Sequence, residues 1–219
     1  IVTADGNDIV LGDSGYATFD TSGRLDRISS DLTEVGQLTS STDTGGPDVI
    51  VTGSGNDILV GGTANDTLHS NQNDDVVLGD SGTAEFNDSN QLTFIYTVSP
   101  EDGMGDVIWT GSGNDIAFGG AGDDDINLQV DDNNKDSGND VLVGDNGRAD
   151  FNITVDGTQV DQLSTSDPTH VGSDKIYSHD GKDVILGGGK NDTLSASEGD
   201  QRDIILGDNG VVNLNHPTS

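Results

Sequence analysis

With 219 residues, 30% of them hydrophobic and 4% aromatic, the chain is long enough for one domain or an array of small ones, but too poor in apolar side chains for one large globular core. Its formal net charge of −32, with only 8 Lys and Arg, disfavours binding to nucleic acid phosphates and opposes compaction unless cations neutralise much of it. There is no cysteine to build a disulfide framework, and no apolar run approaches membrane-spanning length.

The acid is of one kind, 36 Asp against 4 Glu, and it stands beside 32 Gly. Salt-adapted surfaces and acidic disordered segments use Glu freely, whereas Asp with Gly is the chemistry of tight turns that chelate hard cations.

Taken in order, the chain divides into four blocks of one continuous solenoid. Residues 1–43 form a partial block that already opens inside a repeat, Ile1 to Gly12, so the array is expected to extend further than this chain. It carries Asp8, the turn Gly12-Asp13-Ser14-Gly15 and a hairpin from Phe19 to Ile28 across Thr21-Ser22-Gly23. Residues 44–101 hold Asp48, Asp57, Asp66 and Asp75, nine apart, then Gly79-Asp80-Ser81-Gly82 and a hairpin from Phe86 to Val98 across Asp88-Ser89-Asn90. Residues 102–171 repeat the pattern with Asp106, Asp115 and Asp124. Asp140 arrives seven residues late, after Asp131-Asp132-Asn133-Asn134-Lys135, and is followed by Gly144-Asp145-Asn146-Gly147 and a hairpin from Phe151 to Leu163 across Asp156-Gly157. Residues 172–219 give Asp174, Asp183 and Asp192, then Asp203 two residues late, Gly207-Asp208-Asn209-Gly210 and the strand Val212-Asn213-Leu214-Asn215. The four Gly-Asp turns recur at intervals of 67, 65 and 63 residues.

A large aliphatic stands two residues after each of these Asp: Val10, Ile50, Leu59, Leu68, Val77, Ile108, Ile126, Leu142, Ile176, Ile185, Leu194 and Ile205, with Ala117 the one exception. Alternation about that position makes it the inward residue of a very short strand. Two nine-residue units then close one turn, and Asp residues eighteen apart stack on one edge.

Gly119-Gly120-Ala121-Gly122-Asp123-Asp124 resembles the Gly-Gly-x-Gly-x-Asp turn of RTX haemolysin-type nonapeptide repeats at every position. Gly53-Ser54-Gly55-Asn56-Asp57 and Gly111-Ser112-Gly113-Asn114-Asp115 match it in all but the first Gly. The resemblance covers about half the chain and implies an all-β fold, a calcium-bound parallel β-roll interrupted by inserted β-hairpins. Calcium takes six to eight hard oxygens, and this repeat supplies Asp carboxylates and the carbonyls of turns opened by Gly.

The expected metal ligands are Asp8, Asp48, Asp57, Asp66, Asp75, Asp106, Asp115, Asp124, Asp140, Asp174, Asp183, Asp192 and Asp203, with turn glycines Gly53, Gly55, Gly61, Gly111, Gly113, Gly119, Gly120, Gly122 and Gly187. What is known of RTX rolls implies several ions, each between stacked turns: Asp48 with Asp66, Asp57 with Asp75, Asp106 with Asp124, Asp174 with Asp192, Asp115 with Asp140, Asp183 with Asp203. Asp13, Asp80, Asp145 and Asp208 stand where the family has its second Gly. They either close the last site of each block with a side chain or cap an Asx turn. Asn71, Asp136, His179 and Gly199 or Asp200 near one Gly position, and Ala64 and Lys190 at another, are expected to weaken their turns.

One outward row is apolar (Ile58, Val60, Val76, Leu78, Ile116, Phe118, Val141, Val143, Val184, Leu186, Ile204, Leu206), while the opposite row carries Thr67, His69, Asp125, Asn127, Thr193 and Ser195. Either the hairpins or neighbouring molecules must cover the apolar one.

The chain has no His-Glu-x-x-His or Gly-x-Ser-x-Gly motif, and calcium turns account for its carboxylates better than a glycosidase pair does. The expectation is a non-enzymatic calcium-binding module, secreted to a bacterial cell surface or matrix, acting as spacer, surface-layer, adhesive or filament segment. Its partners would be calcium and copies of itself end to end or other surface components. The resemblance allows two alternatives. One is an accessory roll of a type I-secreted enzyme or toxin. The other is an ice- or glycan-binding face built on Asn56, Asn65, Asn114 and Asn191 beside Ser54, Thr63 and Ser112, although only two rungs would stack before a hairpin intervenes.

Overall fold

The computed structural model describes residues 1–30, 45–89, 91–127, 138–154, 157–196 and 202–214. Its strands follow the nine-residue rhythm. The first half contains β1 (Ile9–Leu11), β2 (Tyr16–Phe19), β3 (Leu25–Ser29), β4 (Val49–Val51), β5 (Ile58–Gly62), β6 (Thr67–His69), β7 (Val76–Asp80), β8 (Gly82–Phe86), β9 (Leu92–Thr97) and β10 (Val107–Trp109). The second half contains β11 (Ile116–Gly120), β12 (Asp125–Ile126), β13 (Val141–Asp145), β14 (Gly147–Thr154), β15 (Gly157–Thr165), β16 (Lys175–Tyr177), β17 (Val184–Leu186), β18 (Thr193–Ser195), β19 (Ile204–Leu206) and β20 (Val211–Asn213).

They form three layers. A first parallel sheet runs β4-β6-β10-β12-β16-β18, and a second runs β1-β5-β7-β11-β13-β17-β19. The third, β2-β3-β8-β9-β14-β15-β20, is antiparallel and made of the hairpins.

The repeat explains the layering. The aliphatic two residues after each Asp turns inward, so Val10, Ile50, Leu59, Leu68, Val77, Ile108, Ile126, Leu142, Ile176 and Ile185 meet in one core between the two parallel sheets, with Leu194 at its margin. Ala117 fills the same position and is fully buried. Ile205 departs from the rule: on edge strand β19 it is 46% exposed, because no strand among the described residues lies beyond it.

The outward apolar row forms a second core, and the hairpin sheet covers it. Val60, Val76, Leu78, Phe118, Val141, Val143, Val184 and Leu186 pack there against Ala84, Ile95, Ala149, Leu163 and Val212. Of the two coverings the sequence allows, this chain's own hairpins supply the one seen. The inner face of that sheet pairs small with large, Ala84 with Ile95 and Ala149 with Leu163 in register. At the tips, Asp20 Oδ1 accepts from Ser22 N and Arg24 N at 2.8 and 2.9 Å, and Asn87 Oδ1 accepts from Ser89 N and Gln91 N at 2.8 and 3.1 Å. Asn90 and Asp156, expected at the second and third tips, lie outside the described residues, as do Asp131 to Asp136, Gly199, Asp200 and Asn215.

The expectation that stacking stops after two rungs is corrected. Leu68 pairs with Ile108 across 40 residues, Ile126 with Ile176 across 50 and Val77 with Ala117 across 40. Each hairpin leaves and rejoins the roll on the same edge, so the next rung lands on the previous one and seven rungs stack in the second sheet.

Candidate metal-binding turns

The Asp that begins each strand is fixed by a bond to its neighbour. On one edge Asp48 N donates to Asp66 Oδ1, Asp66 N to Asp106, Asp106 N to Asp124, Asp124 N to Asp174 and Asp174 N to Asp192, at 2.6 to 3.1 Å. On the other the series is Asp8, Asp57, Asp75, Asp115, Asp140, Asp183 and Asp203, at 2.7 to 3.1 Å. All six pairs implied by the resemblance to RTX rolls are therefore direct neighbours. The ladders also join Asp66 to Asp106 and Asp75 to Asp115, which the hairpins separate in sequence.

These bonds use one carboxylate oxygen only. Oδ2 of Asp66, Asp106, Asp124, Asp174 and Asp192 is buried with no hydrogen-bond partner, and so is Oδ2 of Asp8, Asp57 and Asp115 on the other edge. Ser70 and Ser178 hydroxyls lie by Asp75 and Asp183. Desolvation pushes Asp66 and Asp75 up to about 7, Asp115 and Asp174 to about 8 and Asp106 to about 9, with neighbouring carboxylates adding to it. Asp124 is likewise raised well above the ordinary carboxylate range, again through burial first. A row of half-satisfied buried carboxylates is unfavourable unless a proton or a cation completes it.

Glycine forms the other wall. A methyl group at Gly61 would strike Gly79 O and Asp66 Oδ2; at Gly119, Gly144 O and Asp124 Oδ2; at Gly187, Gly207 O and Asp192 Oδ2. Gly12, Gly79 and Gly144 line equivalent cradles against Asp48, Asp106 and Asp174, although the nine-residue motif does not reach them. Their signal is the Gly that follows the triplet of each strand in the second sheet, such as Val76-Val77-Leu78.

Gly53, Gly55, Gly111 and Gly113 stand on the opposite edge against Ala4, Gly6, Asn71 and Asn73, where backbone passes too close for a side chain. Gly120 abuts Asp80, and Gly122 abuts Met104 and Gly105. Among the described residues no three acidic or histidine side chains converge on one point. The donor set thus fits a hard cation taking carboxylate oxygen from the ladders and carbonyl oxygen from the turns.

The non-glycine residues at Gly positions keep the turn's shape. Ala64, Asn71, His179 and Lys190 sit at φ 78°, 76°, 60° and 66°, in the left-handed region. That conformation costs a residue with a Cβ about 1–2 kcal/mol. Ala64→Gly and Lys190→Gly are therefore each expected to raise stability by about 1 kcal/mol, seen as a higher melting temperature in calcium.

Asp13, Asp80 and Asp145 are different. Asp80 Oδ1 accepts from Met104 N at 3.2 Å and Oδ2 from Ala121 N. Asp145 accepts from Gly172 N and Gly189 N, and Asp13 from Gly46 N and Thr63 N. In each case one oxygen holds the strand returning from the hairpin and the other holds the next short turn. These carboxylates act as clasps that sew the hairpins into the stack. Asp208, the fourth in sequence, is exposed at the last rung. Asp80→Ala should cost about 2–3 kcal/mol by orphaning two amides. Amide exchange in Gly82–Thr97 should quicken, with calcium uptake unchanged.

A stack of parallel rungs whose edges carry carboxylate ladders, with glycine cradles along one of them, defines a parallel β-roll whose turns offer oxygen ligands to a hard cation. The model of the RTX calcium-binding nonapeptide repeat matches the chain in four copies, at residues 51–83, 102–133, 171–194 and 177–211. Over these segments the chain carries RTX-type calcium-binding nonapeptide repeats. No curated protein and no solved structure matches it. The structure carries the same register into residues 1–30, outside the matched segments, where β1 pairs with β5 and Asp8 with Asp57. No helix among the described residues is long and apolar enough to cross a membrane.

Proposed function

We propose that the chain is an extracellular structural module, a spacer or adhesive segment without catalytic activity, whose folded state depends on calcium held along both turn edges. The observation that carries this reading is the run of buried carboxylates on both edges with one oxygen bonded to the neighbouring turn and the other without a hydrogen-bond partner, turned on the edge from Asp66 to Asp192 to a glycine cradle. When bound, calcium would neutralise these groups and link successive turns. Asp66, Asp106, Asp124, Asp174 and Asp192 would hold it on one edge, and Asp8, Asp57, Asp75, Asp115 and Asp183 on the other.

A mechanical role is supported by the continuity of the stack, since the hairpins thicken the rod without interrupting it. End-to-end contact between copies belongs to the same reading. Edge strands β1 and β19 leave Ile9, Ile204 and Ile205 exposed, and exposed aliphatic strand edges are surfaces on which further rungs stack.

The test is a pair of variants. Asp57→Ala is expected to lose one calcium equivalent in isothermal titration and to lower the melting temperature far more than Asp88→Ala, at a hairpin tip outside both ladders. Equal behaviour of the two would refute the assignment.

A further inference from the structure

Beyond its structural role, we propose that the outer face of the first sheet binds an uncharged polysaccharide. The second sheet is covered by the hairpins, but nothing among the described strands covers the first. Its inward residues fill the core, so the residues on either side of them point outward.

In a chain of net charge −32 that face is neutral. The only Asp, Glu, Lys or Arg in its outward strand positions, Asp125 and Lys175, stand on adjacent rungs and pair with each other at 2.9 Å. The acid is instead gathered on the turn edges. A polyanion, or a second copy laid side by side on this face with its acidic edges alongside, would be repelled, and a cationic partner would go to the edges. An uncharged polymer is the occupant that this distribution fits.

The face also offers rings. His69 and Trp109, on adjacent rungs, lie with centroids 4.1 Å apart. On the other side of Trp109 the next rung, β12, ends at Ile126, and Asn127 adopts φ 56° and folds its amide onto Thr110. The next outward ring is Tyr177, two rungs from Trp109, or roughly 10 Å at the usual strand spacing. Among the described residues that leaves a slot between two rings, floored by β12 and rimmed by Asp125 and Lys175. A pyranose has an apolar C–H face that packs on an aromatic ring and hydroxyls that bond to such a rim.

Trp109 is the only Trp in the chain, so its fluorescence reports this face alone. The protein, in millimolar calcium, would be titrated with hydroxyethylcellulose and with dextran, both uncharged, and with alginate, a polyanion. A saturable shift in emission and protection from acrylamide quenching are expected with at least one neutral polymer and not with alginate. Tyr177→Ala should weaken binding about tenfold, from loss of one ring's stacking. Tyr177→Phe should retain it, as should Phe94→Ala on the hairpin sheet. No response to either neutral polymer, a response to alginate alone, or equal binding by Tyr177→Ala judged folded by circular dichroism would overturn the proposal. If Tyr177→Ala does not fold, the wild-type quenching result decides.

Discussion

Chelation of calcium with EGTA at pH 8 is expected to convert the chain from a β-rich to a coil-like circular dichroism spectrum, and excess calcium to restore it. At that pH the fold must otherwise bury ladder carboxylates whose ordinary pKa leaves them charged, and Oδ2 of eight of them has no donor. Isolated buried charge costs several kcal/mol per group, and self-repulsion from a net charge of −32 adds to it. Each ion bound only to the native roll contributes about 2.7 kcal/mol at a hundredfold excess over its dissociation constant, so several together make folding and binding one event. The melting temperature should therefore climb with calcium concentration. A β signal that persists in EGTA with unchanged melting would show that packing alone suffices.

Protons should substitute for calcium. Without metal, burial raises Asp66 and Asp75 to about 7, Asp115 and Asp174 to about 8 and Asp106 to about 9, against an ordinary value of 3.8. Between pH 4 and these values the fold keeps protons that the unfolded chain releases. Stability of the metal-free form therefore falls as pH rises, by about 1.4 kcal/mol per pH unit for each group so held. In EGTA, acidification from pH 8 to pH 5 is expected to restore β structure. In calcium the spectrum should be the same at both pH values, because the metal needs the deprotonated form, and its binding near pH 7 should release protons measurable in weak buffer. A metal-free spectrum independent of pH would contradict the burial of these groups.

The parts of this architecture written in local spacing were legible from the residues alone. The nine-residue interval between Asp57, Asp66 and Asp75 and the aliphatic two places later specify strand, inward face and edge. The alternation in Ala84-Glu85-Phe86-Asn87 specifies a hairpin. What depends on return after a long excursion was not legible. Nothing in the spacing says that Ile108 will land on Leu68, since a loop's length does not reveal where its ends meet. The clasp residues carry the composition of an ordinary Asx turn, and only the return of Gly46, Met104 and Gly172 beside them shows their use. Ala64 and Lys190, expected to weaken their turns, nonetheless take the left-handed conformation of the Gly they replace.

The stacking of two rungs per block has a consequence for length under load. A block of about 65 residues advances the rod by two strand spacings, roughly 10 Å, because most of its chain runs across the axis or out into a hairpin. The same residues, freed and drawn straight, would span roughly 220 Å. On the proposed reading, calcium would govern how much contour length is stored as well as whether the rod is stiff. A string of such blocks tethering two bodies would hold them at a fixed short distance in calcium, and would release about twentyfold more reach for each block that opens when the ion is withdrawn.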